Sequence, residues 1–392
     1  MTSAATATTG PARVASIADV VLAEAAASEA ARTTTAPIVE AMWSSGLMTH
    51  MNPAAAGGNE PGFVDMIDTW IDMATLDGSF GWIGIANLPS SAATAALLPD
   101  AGFAEVFDGP DHHVTVGGQF FPNGQGVAAD GGIRLTGAWN FGSGTGHAQY
   151  VAAGYVPIVD GEMVWASPGV PDMRVAIIPR GEITFTDGWH VQGLKGTGSY
   201  DYNVRDLFVP DHRTYPLFAR EGRGSSVALR IGLMPMTAAG HAGWALGVAK
   251  SMLDDVEHLA TTRVRMGDMA TFAHRPTFQR GYTHHRAMWR AARLLVRDTF
   301  AEVEQAVANG AALTPIMRAD MRAAAVYATD ASRAVGEWAH LASGTAAIRE
   351  GGRLERAFRD LYTGTQHAFI SEKVAIDAAQ VHLGLVDDQR GL

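Results

Sequence analysis

Residues 131–147 read GGIRLTGAWNFGSGTGH, and residues 188–199 read GWHVQGLKGTGS. Dense glycines let a backbone approach a planar ligand, and the small hydroxyl side chains among them supply hydrogen-bond donors and acceptors. A set of tight β-turns without a ligand is the alternative interpretation of this spacing. Between 113 and 210, apolar residues such as Ile133 and Leu135 alternate with polar ones, and no helix-length periodic stretch intervenes. This pattern predicts an antiparallel sheet or barrel.

Helical patterns flank this β region on both sides. Before it, alanine-rich stretches carry apolar residues three and four positions apart. After it, Asn309-Gly310 is a helix C-terminal signal, and Thr314-Pro315 supplies the N-cap and first residue of the next helix. A last helix is predicted from Phe358 to about Leu383. A 3–4–3–4 apolar seam, typical of a helix in a bundle, is formed by Leu246, Ala249, Leu253, Val256 and Ala260.

The order of these patterns predicts an α+β multidomain fold. Its expected parts are a disordered tail (1–16), an N-terminal helical domain (17–110), a central antiparallel β-barrel (111–222) and a C-terminal four-helix bundle (223–392). A doubly wound parallel sheet is disfavoured, because strands do not alternate with helices.

Composition narrows the classes of function. The 392 residues include 29 Lys and Arg against 40 Asp and Glu, a formal net charge of −11, and no cysteine. An acidic protein gains little from counterion release, so we expect no nucleic acid partner. The lack of cysteine excludes disulfides, thiolate nucleophiles and cysteine-ligated metals, and it fits a cytoplasmic location. No apolar run reaches the ~18 residues of a membrane helix, so we expect no membrane partner.

Several common site motifs are missing from the sequence. It contains neither a GxxxxGK[ST] phosphate loop nor an HExxH zinc motif. The adjacent His284 and His285 point in different directions on a helix, so we expect no metal site. The glycines within 142–146 do not open a helix inside a βαβ unit, which argues against a dinucleotide-binding fingerprint.

The order of helical domain, β domain and helix bundle, together with the two glycine-rich segments, resembles the acyl-CoA dehydrogenase superfamily over residues 32–385. Five further segments in the same order carry this resemblance: DGSFGW at 77–82, DLFVP at 206–210, RVRMG at 263–267, Phe278-Gln279, and LERAFRD at 354–360. In that superfamily the arginine of the third segment and the glutamine of the fourth contact a flavin, often across a subunit boundary.

A glutamate base shortly after the Arg-Asp pair is what most dehydrogenases of this superfamily need. Here that place falls on Ala368, or on Thr363 in a sliding match, and the alternative place at 232–236 holds no acid either. Beside the vacant place is His367, seven residues after Asp360. This pattern resembles the flavin-dependent monooxygenases of the superfamily, among them the oxygenase components of p-hydroxyphenylacetate hydroxylase and of the secosteroid phenol hydroxylases.

The resemblance implies the oxygenase component of a two-component flavin-dependent monooxygenase, an oxidoreductase. A separate flavin reductase would supply reduced FMN or FAD, and O2 would add to the reduced flavin to give a C4a-hydroperoxide that oxygenates a small aromatic substrate. A homotetramer is the habit of the family. Two alternatives stay open: an acyl-CoA dehydrogenase or related flavin oxidase, and a non-catalytic member that binds no flavin.

The resemblance also assigns residues. His367 would act as a base or hold the peroxide, since its pKa range suits proton transfer near neutrality, and Ser143 would hydrogen-bond near flavin N5. Weaker substrate candidates are Trp82, His112, His113, Phe120 and Asn123. The expected cofactor-binding residues are Trp139, Phe141, Ser143, Gly144, Lys195, Gly196, Thr197, Gly198, Ser199, Arg263, Phe278 and Gln279.

Overall fold

The computed structural model describes residues 9–108, 113–186 and 188–388. The described chain begins with six helices. The first five share one apolar core with the C-terminal bundle, and the sixth packs against the sheet. Asp77 caps the fifth of them, because its carboxylate accepts the N–H groups of Ser79 (3.0 Å) and Phe80 (3.1 Å). The six are α1 (Gly10–Ser16), α2 (Ala18–Ala31), α3 (Ala36–Ser44), α4 (Phe63–Leu76), α5 (Gly78–Leu97) and α6 (Asp100–Phe107).

Part of the predicted N-terminal tail is helical. Residues Gly10–Ser16 form α1, and Val14 is buried in the same core cluster as Phe63 of α4. The N–H of Gly10 also donates to the carboxylate of Asp65 at 3.2 Å. The prediction of a disordered tail is therefore wrong for α1, because a tertiary contact holds a segment whose composition is that of a frayed end.

The middle of the chain forms an open mixed sheet. Its strand order is β10-β7-β3-β1-β2-β9-β8, with β4 paired to β3, and β5 and β6 form a separate hairpin. The strands are β1 (Val116–Ala129), β2 (Gly132–Gly142), β3 (Tyr150–Val159), β4 (Glu162–Met163), β5 (Trp165–Ser167), β6 (Val170–Pro171), β7 (Arg174–Pro179), β8 (Thr184–Phe185), β9 (Tyr200–Pro210) and β10 (Thr214–Pro216).

The predicted antiparallel barrel is wrong in two respects. Across the described residues the end strands β10 and β8 do not pair, so the sheet is not closed. In addition β3 runs parallel to β1, with Val116 opposite Tyr150. Alternating apolar residues indicate a strand and its two faces, but they do not indicate with which other strand it pairs. Here β3 crosses to the far edge of β1 instead of pairing with β2, which makes the pair parallel.

A tight turn of the Asp-Gly type follows β3. Asp160 and Gly161 both have positive φ, 51° and 82°, and they connect β3 to β4 with Ile158 opposite Met163. Positive φ at both central residues is the geometry that matches the twist of a two-residue hairpin, and an Asp-Gly pair favours it.

The C-terminal part is a bundle of long helices. All five residues of the predicted apolar seam are buried and lie in one helix, Leu233–Thr262, which confirms that prediction. Thr314 caps α10 by accepting the N–H of Met317 at 3.2 Å, as its position before Pro315 predicted. The helices are α7 (Val227–Ile231), α8 (Leu233–Thr262), α9 (Pro276–Ala308), α10 (Pro315–Ser343), α11 (Arg353–Gly364) and α12 (Glu372–His382).

The last predicted helix is interrupted. Instead of one helix from Phe358 to about Leu383, α11 ends at Gly364, a single 3₁₀ turn follows at Ala368–Ile370, and α12 begins at Glu372. Within residues 9–108, 113–186 and 188–388, no helix has both the length and the hydropathy that a membrane crossing requires.

Candidate active site

A cavity of about 550 Å³ lies where the helical domain, the sheet and the bundle meet. This volume is within the roughly 300–1,000 Å³ range of small-molecule and cofactor sites. Its walls come from α5, from β1 and the turn after β2, from the start of α8, and from the interruption between α11 and α12. Parts of the chain nearly 300 positions apart therefore build one site.

Ser143 lies in the turn that ends β2. The turn needs two positive φ angles, 59° at Phe141 and 73° at Gly144. A Cβ on Gly144 would lie 2.0 Å from the side chain of Asn87, so glycine is required at that position. The turn directs Ser143 into the cavity, where its Oγ accepts the indole N–H of Trp82 at 3.0 Å.

His367 lies in the interruption after α11 and lines the same cavity. Its Nδ1 accepts the N–H of Phe369 at 3.3 Å, and this bond assigns the ring proton to Nε2. Burial, with a contribution from the positive charge of Arg322, lowers the pKa of His367 to about 4. The imidazole is therefore neutral at pH 7.

A second histidine, His241 on α8, lies beside His367 with ring centroids 4.3 Å apart. Its Nδ1–H donates to the carbonyl of Thr237 at 2.7 Å, which leaves Nε2 as a bare acceptor with no hydrogen-bond partner among the described residues. Burial, and then the neighbouring His367, hold the pKa of His241 well below its usual range. The two rings thus present opposite tautomers to the cavity.

Sequence reasoning missed His241. It stands alone as a polar residue in the small-residue run AAGHAGWALG of α8, and a buried polar group in such a run is the signal that could have found it. The cavity confirms the signal, because His241, Trp82 and His367 form one aromatic cluster: the Trp82 ring meets His241 at 5.4 Å and His367 at 5.9 Å, edge to face.

Both stretches considered for a dehydrogenase base contribute to the cavity wall. Thr363 and Ala368 line it, as do three residues of 232–236, and none of them carries an acid. Among the described lining residues the one carboxylate is Glu60, which already accepts the N–H groups of Ser225 (2.7 Å) and Ser226 (3.1 Å).

Several predicted cofactor residues meet around Ser143. Phe141, Ser143 and Ser199 line the cavity. Thr197 lies behind them, fully buried, and the backbone of Gly144, Gly196 and Gly198 forms the supporting turns. Lys195 does not line the cavity; its ammonium is 3.6 Å from Glu29.

Other predicted residues are elsewhere. Trp139 is buried inside the sheet, stacked on Tyr202, and its indole N–H donates to the carbonyl of Gly154 at 2.9 Å. Among the substrate candidates, Trp82 and Phe120 line the cavity, whereas Asn123 is exposed and His113 stacks on Trp43. His112 falls outside the described residues. Not among the cavity's lining residues are Arg263, Phe278 and Gln279.

The chain is similar to known proteins over nearly its whole length. A family model described as "Acyl-CoA dehydrogenase, C-terminal domain" matches residues 239–372. The FADH(2)-dependent resorcinol hydroxylase oxygenase component of Rhizobium sp. is 30% identical over 302 residues, which are 73% of this chain and 71% of that protein. The indole-3-acetate monooxygenase of Acinetobacter baumannii is 29% identical over 356 residues, 89% of this chain and 87% of that protein.

Solved structures show the same fold. The 3-HSA hydroxylase of Rhodococcus sp. RHA1 superposes with a TM-score of 0.88 at 23% identity, covering 97% of this chain and 98% of the other. XiaF of Streptomyces sp., in complex with FADH2 and glycerol, also gives 0.88, at 24% identity over 98% and 97% of the two chains.

The fold is thus that of the acyl-CoA dehydrogenases. Within it, the chain belongs to the family of flavin-dependent monooxygenases, which are oxidoreductases. The membership predicted from the sequence is confirmed, and so is the choice of the monooxygenase branch.

Proposed function

We propose that the protein is the oxygenase component of a two-component monooxygenase, which takes reduced flavin from a separate reductase and oxygenates a small aromatic molecule. The observation that carries this proposal is the content of one cavity. Ser143 and the pair His241 and His367 meet there around Trp82, while Thr363 and Ala368, at the place of the carboxylate base, carry no acid.

The residues present fit a reduced flavin. Phe120, Phe141 and Trp189 are aromatic groups along the cavity wall, suited to a planar ring system. Ser143 Oγ and the unpartnered Nε2 of His241 are polar atoms that a ligand would satisfy. Reduced flavin, when bound, supplies the electrons that activate O2, and the protein supplies orientation and a dry site.

The ring tautomers favour distinct duties for the two histidines. His367, with its proton on Nε2, is a hydrogen-bond donor to an oxygen atom in the cavity, which is one of the two roles that the sequence left open. His241, with a bare Nε2, can accept the proton of a substrate hydroxyl or ring N–H. A low pKa keeps both rings neutral near pH 7, so neither adds a charge that would draw water into the site.

An aromatic substrate agrees with the lining of the cavity. Its wall is mainly apolar, with Leu229, Met236 and Phe369 among its residues. Two relatives carry names that refer to aromatic compounds, indole-3-acetate and resorcinol. We therefore propose a phenol or an indole as the substrate, bound in the cavity beside the histidine pair.

The test is a single-turnover reaction. Anaerobic protein with reduced FMN or FAD is mixed with ¹⁸O-labelled O2 in the presence of resorcinol, indole or indole-3-acetate, and both labelled product and hydrogen peroxide are measured. We expect one label atom per product molecule and little peroxide. A protein that instead purifies with tightly bound oxidised FAD, and reduces a dye with an acyl-CoA, would be a dehydrogenase and would contradict the proposal.

A homotetramer and a cytoplasmic location remain predictions of this function. The resemblance supports the assembly, because in the superfamily the arginine and glutamine at the positions of Arg263 and Gln279 contact a flavin, often across a subunit boundary. Neither residue lines the cavity of its own chain. Light scattering on a sizing column measures the assembly directly. A monomer at working concentration would contradict the tetramer.

A further inference from the structure

A chain of hydroxyl groups runs from the cavity into the protein behind Ser143. Ser143 Oγ is 2.9 Å from Ser199 Oγ, which is 2.7 Å from Thr197 Oγ1. Thr197 Oγ1 in turn is 2.8 Å from the carbonyl oxygen of Leu194. Ser199 and Thr197 are buried, so water does not compete for these contacts.

The carbonyl at the inner end gives this chain a direction. The carbonyl oxygen of Leu194 can only accept, and it also accepts the indole N–H of Trp189 at 2.9 Å. Asp360 holds this residue in place by accepting its N–H at 2.6 Å. Thr197 must therefore donate its one hydroxyl proton to Leu194, because two oxygens at 2.8 Å without a proton between them repel.

The remaining protons follow from counting. Since the proton of Thr197 is used, Ser199 must donate to Thr197. Since the proton of Ser199 is then used, Ser143 must donate to Ser199. The indole N–H of Trp82 occupies one lone pair of Ser143 Oγ at 3.0 Å. What Ser143 has left for a ligand in the cavity is a lone pair and no proton.

We infer that Thr197 and Ser199 act as positioning residues that make Ser143 an obligatory hydrogen-bond acceptor, and that this selects reduced over oxidised flavin. The inference rests on the proposed function and on the position of flavin N5 near Ser143 that the sequence resemblance predicts. Reduced flavin carries a hydrogen on N5 and can donate to the lone pair. Oxidised flavin has a bare N5, which would face the Ser143 lone pair without a proton between them.

The inference distinguishes two variants from the wild type. Thr197→Val removes the inner acceptor of the Ser199 proton, so that proton turns to Ser143 and frees the proton of Ser143 for the cavity. Ser199→Ala frees the same proton directly. In both variants oxidised flavin gains a donor, and its Kd should fall by roughly tenfold, the size of one hydrogen bond. Thr197→Ser keeps the hydroxyl and should leave the Kd of oxidised flavin unchanged.

The measurement is anaerobic titration of each protein with oxidised and with dithionite-reduced FMN or FAD, followed by flavin fluorescence or protein fluorescence. Ser143→Ala provides the contrast, because it should weaken reduced flavin without strengthening the oxidised form. The melting temperature shows whether each variant is folded. If the Kd of oxidised flavin does not fall in the folded variants, the inference is overturned. The proposed function stands in that case as long as the wild type still prefers reduced flavin. A wild type that prefers neither form would overturn both.

Discussion

Trp82 joins the two candidate catalytic residues, Ser143 and His367, which are more than 200 positions apart in the sequence. Its indole N–H donates to Ser143, while its ring packs edge to face with His241 and His367. Asp77 caps the helix that carries Trp82, so the position of the indole is set by the first turn of α5. The Trp82 side chain therefore contacts both the sheet side and the bundle side of the cavity and fixes their relative position.

His367→Ala should uncouple the reaction. Without the Nε2–H donor we expect product per reduced flavin to fall by roughly tenfold, with hydrogen peroxide making up the difference, because the hydrogen bond that holds the reacting oxygen is lost. The measurement is the ratio of product to peroxide in a single turnover. His258→Ala, an exposed position on the same protein, is the control, and equal ratios in both variants would remove His367 from the chemistry.

Trp139→Phe separates the predicted flavin-binding role of Trp139 from its structural position. The change removes the hydrogen bond to Gly154 and part of a buried ring, and the free energy of unfolding should fall by about 1–3 kcal/mol. The Kd of reduced flavin should not change, since Trp139 does not line the cavity. Urea unfolding and anaerobic titration measure the two quantities. A higher Kd of reduced flavin at unchanged stability would show that Trp139 contributes to flavin binding.

The interruption between α11 and α12 is the element that brings His367 into the cavity. At Gly364 the helix backbone approaches Trp244 so closely that a Cβ would lie 2.2 Å from the indole ring. In a continuous helix, the regular helical rotation would set the direction of the His367 side chain. Instead, His367 caps a 3₁₀ turn, and its ring lies beside that of His241 at the cavity wall.

Gly364→Ala should therefore disturb both stability and the site. The added methyl group cannot fit without moving Trp244 or the end of α11, and overpacking of this kind costs about 1–3 kcal/mol of unfolding free energy. Urea unfolding measures the loss, and flavin titration measures the disturbance of the cavity. Gly181→Ala, where a Cβ meets nothing within 4 Å, is the matched control. Equal stability of the two variants would contradict the close contact.

The whole molecule buries several histidines in their neutral form. Burial, with a smaller effect of Arg180, lowers the pKa of His147 to about 4, and His241 and His367 are lowered as well. Below the unfolded pKa of about 6.5, the unfolded chain binds protons on these rings that the folded chain does not. Folding stability should thus fall as pH falls from about 6.5 toward 4.

His147→Leu isolates one such contribution. Relative to this variant, the wild type should lose about 1.4 kcal/mol of unfolding free energy per pH unit between pH 6 and 4.5. Burial raises the pKa of Asp360, and this group makes folding stability rise as pH falls. The quantity to compare is therefore the difference in unfolding free energy between the wild type and His147→Leu, because both proteins contain Asp360. Urea unfolding at several pH values measures it. If the unfolding free energies of the wild type and His147→Leu differ by the same amount at every pH from 6 to 4.5, the lowered pKa of His147 is contradicted.

Local interactions are what the sequence by itself determined. The seam of α8, the Thr314 cap of α10 and the Asp160-Gly161 turn each depend on residues within a few positions of one another, so they could be predicted one segment at a time. The absence of a carboxylate base could also be predicted from the sequence, because the place of the base and His367 both lie a short, countable distance after the motif LERAFRD.

Contacts between distant segments were decided by the tertiary structure. The place of β3 beside β1, the burial of Trp139 in the sheet and the interruption after Gly364 all depend on neighbours far away in the chain. So does the meeting of His241 with His367. Their physical cause is packing and the pairing of buried polar groups, which act through space, whereas sequence patterns report the period and ends of single elements.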